Sequence, residues 1–224
     1  MTLPLQAVVF DMDGLLVDTE PIWYEVEIAV MARLGNTWSP EDQAALLGGS
    51  MPNTVAYLLA RADPDIAAGV TPADVEGWVV SEMLQRMRAG VPVRAGALDL
   101  LDQVAAAGIP AALVSSSYRV LIDAVVKQLG DDRFAVTVAG DEVTRPKPDP
   151  EAYLRAATLL RADPGQSVVL EDSDTGATAA VAAGFRTVCV PSVSPIPAGP
   201  GRVLRDSLVG VTVDWLAGLP DSPV

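Results

Sequence analysis

The 224-residue chain contains no histidine. That excludes a Ser-His-Asp triad, histidine-ligated metals and imidazole acid/base catalysis. A single cysteine, Cys189, excludes an internal disulfide and a multi-cysteine zinc site. Lysine occurs only at Lys127 and Lys147; arginine carries the rest of the positive charge. The formal net charge is −14, which argues against a nucleic-acid backbone or an anionic membrane as partner. No apolar run approaches the ~18 residues of a membrane helix. Nor does the N-terminus show the basic region and long apolar stretch of a signal peptide. A cytoplasmic protein is therefore expected. Half of the residues are hydrophobic, which favours a buried core over disorder. The length suits one α/β domain with a sizeable insertion, or two small domains.

The stretch Val8-Val9-Phe10-Asp11-Met12-Asp13-Gly14 ends an apolar run in two carboxylates and a glycine. Leu5 to Phe10 reads as a buried strand, and residues i and i+2 of a strand share a side. Asp11 and Asp13 are thus expected at the carboxyl end of a strand, where open α/β sheets bind ligands. Asp18-Thr19-Glu20-Pro21 reads as a helix start with a capping Asp or Thr. From there to about Gly90 the spacing of apolar residues is helical throughout, with Asp63-Pro64-Asp65 and Gly69 as loop breaks. From Val91 helices and strands alternate. Strands are expected at 109–114, 134–139, 167–170 and 186–190. Such repeated units imply a parallel sheet with right-handed crossovers. The tail from Pro191 reads as loop, with a short edge element over 209–216. The predicted fold is α/β: a parallel-sheet core (1–17 and 92–224) with an inserted all-α helical bundle (18–91).

Four strand ends carry polar groups. Asp11, Asp13, Asp172 and Glu171 form an oxygen-only set that suits a hard cation such as Mg²⁺. Ser115 and the N–H groups after it, including Ser116, form an anion site before a helix. Lys147, between prolines, supplies a compact charge for a phosphate oxygen. Together these parts describe phosphoryl transfer. Asp11 would attack phosphorus, and Asp13 would protonate the leaving oxygen and then activate water.

These residues resemble the four motifs of the haloacid dehalogenase-like hydrolases. Asp11-Met12-Asp13-Gly14-Leu15-Leu16-Val17-Asp18-Thr19-Glu20 is similar to the first, and Val114-Ser115-Ser116-Ser117 to the second. Lys147-Pro148-Asp149-Pro150 matches the third, and Glu171-Asp172-Ser173-Asp174-Thr175-Gly176 the fourth. The resemblance spans about residues 5 to 190. It implies a Rossmann-like core and a helical cap closing over the substrate, with Gly48-Gly49-Ser50 as substrate loop; Arg119, in place of a family residue, is read as a further substrate contact. It also implies metal ligation by Asp11, the backbone carbonyl of Asp13 and Asp172, with Glu171 close by. The second aspartate points away from dehalogenation and towards a phosphatase of a small phosphomonoester, sugar phosphates included. The alternative is a beta-phosphoglucomutase-type sugar phosphomutase. That enzyme's lysine before Gly48, its histidine after the first motif and its Lys-Asn after the second are here Leu47, Trp23 and Tyr118-Arg119. A third reading is a non-catalytic binding protein on the same fold. The expected partner is a small-molecule substrate, with no nucleic acid and no membrane, and the expected state is a monomer.

Overall fold

Three short apolar segments hydrogen-bond side by side and set the frame of the computed structural model, which describes residues 5–46 and 49–220. They are β1 (Val8–Phe10), β2 (Ala111–Val114) and β4 (Val168–Glu171). Val8 pairs with Ala111 on one side and Val168 on the other, both in parallel. The sheet is completed by β3 (Val136–Val138), β5 (Arg186–Cys189) and β6 (Arg202–Leu204), in the order β3-β2-β1-β4-β5-β6. Every pairing is parallel. This is the doubly wound order, whose direction reverses between β1 and β4, so the ligand crevice belongs at the carboxyl ends of those two strands.

The strands read as continuous apolar runs because both faces are covered. Val8, Phe10, Leu113 and Leu170 pack into one core, while Val9, Val114 and Val169 pack into a second on the opposite face. The first core holds Leu100 of α6 (Ala97–Ala106) and Leu121 of α7 (Arg119–Leu129). The second holds Tyr153 of α8 (Glu151–Leu160) and Ala179 and Ala180 of α9 (Asp174–Ala182).

Between β1 and α6 the described chain is helical: α1 (Glu20–Arg33), α2 (Pro40–Leu46), α3 (Met51–Arg61), α4 (Pro64–Ala67) and α5 (Pro72–Met87). Val26, Met31, Leu58 and Val79 join these helices into the first core. The outgoing and returning chains run side by side. Val17 bridges Val93 in antiparallel fashion, and Asp18 N–H donates to Pro92 O at 2.8 Å.

Three local expectations are corrected. The edge strand is β6, inside the Pro/Gly-rich tail, while 209–216 leads into a short helix, α10 (Val213–Ala217). Thr212 accepts from the Trp215 N–H and caps that helix, a stronger local signal than the strand pattern. Asp63-Pro64-Asp65 opens α4 rather than a plain loop, because the Asp63 carboxylate accepts from the N–H groups of Asp65 and Ile66. Thr19 stands at the start of α1, but its side chain makes no capping bond. Among the described residues, no helix is long and apolar enough to cross a membrane.

Candidate active site

β1 ends at Phe10, so Asp11 and Asp13 lie in the turn beyond it rather than on the strand. Asp11 N–H still donates to Leu170 O at 3.0 Å, which ties the turn to β4. Gly14 closes the turn with φ +79°, and a Cβ there would lie 2.0 Å from Asp172 Oδ2. Only glycine lets the β1 turn approach the β4 carboxylate this closely.

The centre of the site is a buried charge cluster. Lys147 Nζ donates to Asp11 Oδ1 at 2.7 Å, Glu171 Oε1 at 2.8 Å and Val114 O at 3.2 Å. Tyr153 O–H donates to the same Glu171 oxygen at 2.6 Å. The other Glu171 oxygen accepts from the N–H groups of Asp172 and Ser173 and from the Ser173 hydroxyl. Both oxygens are therefore committed, and Glu171 anchors the lysine. Burial opposes ionisation of Glu171, but the Lys147 ammonium and these hydrogen bonds hold its pKa below the usual value. Burial also works against the Lys147 ammonium; Asp11 and Glu171 outweigh it and raise its pKa.

Asp11 and Asp172 are shifted upward. Burial is the largest cause for each, and the Glu171 charge is the next. Asp172 reaches about 8, although a hydrogen bond from Ser192 pulls the other way. Oxygens of Asp11, Glu171 and Asp172 lie within 4.8 Å of one another. Three carboxylates thus face one ammonium. An all-oxygen, electron-rich set of this kind fits a hard divalent cation. Asp11 and Asp172 are the side chains left to ligate it, since Glu171 is already satisfied.

Asp13 is held separately, by three hydroxyl donors. Thr19 donates to Oδ1 at 2.7 Å; Ser115 and Ser117 donate to Oδ2 at 2.8 and 2.9 Å. Ser115 also accepts from the Ser117 N–H. It is buried behind Asp13, and the cavity wall is formed by Ser116 and Ser117 instead.

The expected substrate contacts divide. Gly49 lines the cavity; Gly48, like Leu47, lies outside the described residues. Arg119 does not reach the cavity. Its guanidinium grips both Glu142 oxygens at 2.9–3.0 Å and Thr137, which anchors α7 to the β3 strand and the loop after it. Four contributors carried no assignment from the sequence: Thr19, Ser117, Tyr153 and Ser192. Thr19 and Ser117 fall inside the motifs, and that membership was the available signal; only Thr19 is also near Asp13 in the chain. Tyr153 and Ser192 sit in a helix and a loop with nothing local to mark them.

The helical block forms the far wall of the same cavity, with Glu20, Trp23 and Glu27 of α1 and Gln43 of α2. Glu20 is raised to about 7 and Glu27 to about 8. Burial is the main cause for each, and hydrogen bonding with Gln43 offsets part of it.

Known proteins share the sequence and fold of this chain. A family model described as haloacid dehalogenase-like hydrolase matches residues 5–184. Hexitol phosphatase B of Escherichia coli is 30% identical over 195 residues, covering 86% of this chain and 87% of its own. The structure of CbbY from Rhodobacter sphaeroides in complex with phosphate superposes with a TM-score of 0.83 at 29% identity, covering 92% of this chain and 96% of that one. A variant of that protein was solved with xylulose-(1,5)bisphosphate. A beta-phosphoglucomutase from Clostridium difficile, at 20% identity and TM-score 0.80 over 94% of this chain and 95% of its own, shares the fold.

Proposed function

Because the chain belongs to the haloacid dehalogenase-like hydrolases, we propose that it is a Mg²⁺-dependent phosphatase of a small phosphomonoester. Asp11 attacks phosphorus and forms an aspartyl-phosphate while the P–O bond to the leaving group breaks. Asp13 gives its proton to the leaving oxygen, then takes one from the water that hydrolyses the acyl phosphate. Lys147 fixes one Asp11 oxygen and places positive charge beside the phosphoryl group. Ser116 and Ser117 line the phosphate side of the cavity. Asp11, Asp172 and the Asp13 carbonyl would hold the cation. When bound, it supplies further positive charge to the phosphoryl oxygens.

The observation that carries this reading is the convergence of Asp11, Asp13, Lys147 and Asp172 on one cavity, at the switch point of the sheet. The helical block over residues 18–91 is read as a cap that closes over the substrate, and the enzyme as a monomer. The test is release of inorganic phosphate from a panel of phosphomonoesters, with and without Mg²⁺. Turnover is expected with Mg²⁺, and Asp11→Asn is expected to lower it by about a thousandfold or more. No release from any substrate would sink the reading. A sugar phosphomutase, suggested by the shared fold, would instead convert beta-glucose 1-phosphate to glucose 6-phosphate in a reaction that needs a bisphosphate primer.

A further inference from the structure

Glu20, Trp23 and Glu27 recur at three and seven positions along α1, so they share one helix face, and all three line the cavity. Glu27 is only 3% exposed, and its Oε2 has no hydrogen-bond partner. Buried polar atoms are nearly always paired, and leaving one bare is costly. The surroundings are otherwise organised. Trp38 Nε1 donates to Gln43 Oε1 at 3.1 Å, which uses the amide oxygen and leaves the Gln43 NH₂ as a donor. The Gln43 amide bonds to the Glu20 and Glu27 carboxyls, so the wall offers the substrate two carboxyls, with Glu27 Oε2 unpaired. Among the described residues, Lys147 is the one cation lining the cavity, and it is already shared by Asp11 and Glu171. Arg61 of the helical block is turned to Asp42 at 3.0 Å.

We propose that Glu27 is the residue by which the helical block reads the leaving group: its bare oxygen binds a hydroxyl of a neutral, hydroxyl-bearing alcohol. Among the described residues the same wall carries no cation, so a leaving group that bears a second phosphate finds no counter-charge there. This assignment rests on the phosphatase reading and deepens it. It also separates this chain from a relative whose cavity holds a sugar bisphosphate.

The test compares kcat/KM on four probes: p-nitrophenyl phosphate, which has no leaving-group hydroxyl to read; sorbitol 6-phosphate; and fructose 6-phosphate against fructose 1,6-bisphosphate, a pair differing by one phosphate. The expected wild-type order places both hydroxylated monophosphates about a hundredfold above the bisphosphate. Glu27→Leu is expected to lose about tenfold more on the hydroxylated monophosphates than on p-nitrophenyl phosphate. Glu27→Gln, which keeps the shape and one acceptor, should recover part of that difference and stands in if the leucine variant does not fold. An equal loss on every probe would reduce Glu27 to a structural role and overturn the inference, as would a wild-type preference for the bisphosphate. Hydrolysis of the hydroxylated monophosphates with no dependence on Glu27 overturns the inference alone. Hydrolysis of none of the probes overturns the phosphatase reading beneath it.

Discussion

Glu27→Gln should change how stability depends on pH, whatever the substrate. Glutamine fills the same space but cannot ionise. An ordinary glutamate titrates near 4.5, whereas Glu27 in the folded protein titrates near 8, because burial disfavours its charge. Between those values the folded chain keeps the proton and the unfolded chain has lost it. The native state then binds more protons, so wild-type stability falls as pH rises. The slope for one group is about 1.4 kcal/mol per pH unit. From pH 5.5 to 7.5 the wild type should lose about 2–3 kcal/mol that Glu27→Gln keeps. Glu20 and Asp172 also titrate high, but both proteins carry them and their effect largely cancels in the difference. At a urea dependence of roughly 2–3 kcal/mol per M, the gap between the two midpoints should widen by about 1 M over that range. The assay is urea unfolding in EDTA at both pH values, followed by tryptophan fluorescence. Trp23 shares the cavity wall with Glu27, and Trp38 bonds the neighbouring Gln43. A gap constant to within about 0.5 kcal/mol would refute the claim that Glu27 is buried protonated.

Two further substitutions probe the core side of the site. Lys147→Met leaves Asp11 and Glu171 without their shared ammonium and should destabilise the fold by about 3–5 kcal/mol, read as a lower urea midpoint; a loss under 1 kcal/mol would mean that the cluster is not electrostatically coupled. Gly176→Ala places a Cβ 1.7 Å from Glu171 Oε1, so the carboxylate that anchors Lys147 must move. The variant should lose most of its phosphatase turnover and about 1–3 kcal/mol of stability, and wild-type turnover would show that the anchor has slack.

Asp11, Asp13, Lys147 and Asp172 were legible in the sequence for one physical reason. Each follows an apolar run or sits in a proline-bounded loop, and a doubly wound sheet gathers such ends in one place. Helix caps were less plain: Thr71 and Asp74 form the capping box of α5, but the caps at Asp63 and Thr212 lie in stretches that read as a loop break and an edge element. What could not be read was the direction of a side chain whose partner is far away in the chain. Ser115 looked like an anion donor, yet its hydroxyl is used by Asp13, 102 positions earlier. Arg119 looked available, but Glu142 and Thr137 occupy it. On α1 the polarity pattern misleads outright. Glu27 is buried while the neighbouring Ile28 is 40% exposed, because the face of α1 that carries Glu20 and Trp23 borders a cavity rather than solvent.

The acidity of the chain leads to a last prediction. A net charge of −14 is a poor setting for a phosphate, and the site does not relieve it unaided. Lys147 is only 5% exposed at its side chain and is shared between Asp11 and Glu171. A phosphate dianion entering beside Asp11 would face that carboxylate together with Asp172 and Asp13. The ammonium cannot turn to the newcomer without exposing two buried carboxylates to each other, which is the costly way to break a buried pair. If Asp11 and Asp172 hold the proposed cation, phosphate affinity should depend on it. Inorganic phosphate titrated into the protein in EDTA should give no binding heat at millimolar concentration, and the same titration in Mg²⁺ should saturate. The apparent affinity in EDTA is expected to be weaker by about a hundredfold or more, as expected when one favourable ion contact of several kcal/mol is withdrawn from a buried site. Asp172→Asn should weaken the Mg²⁺-dependent binding while Ser192→Ala, which removes only a hydroxyl bonded to Asp172, should weaken it less. Equal phosphate affinity with and without Mg²⁺ would show that Lys147 alone suffices, and would break the link between the chain's acidity and its need for a metal.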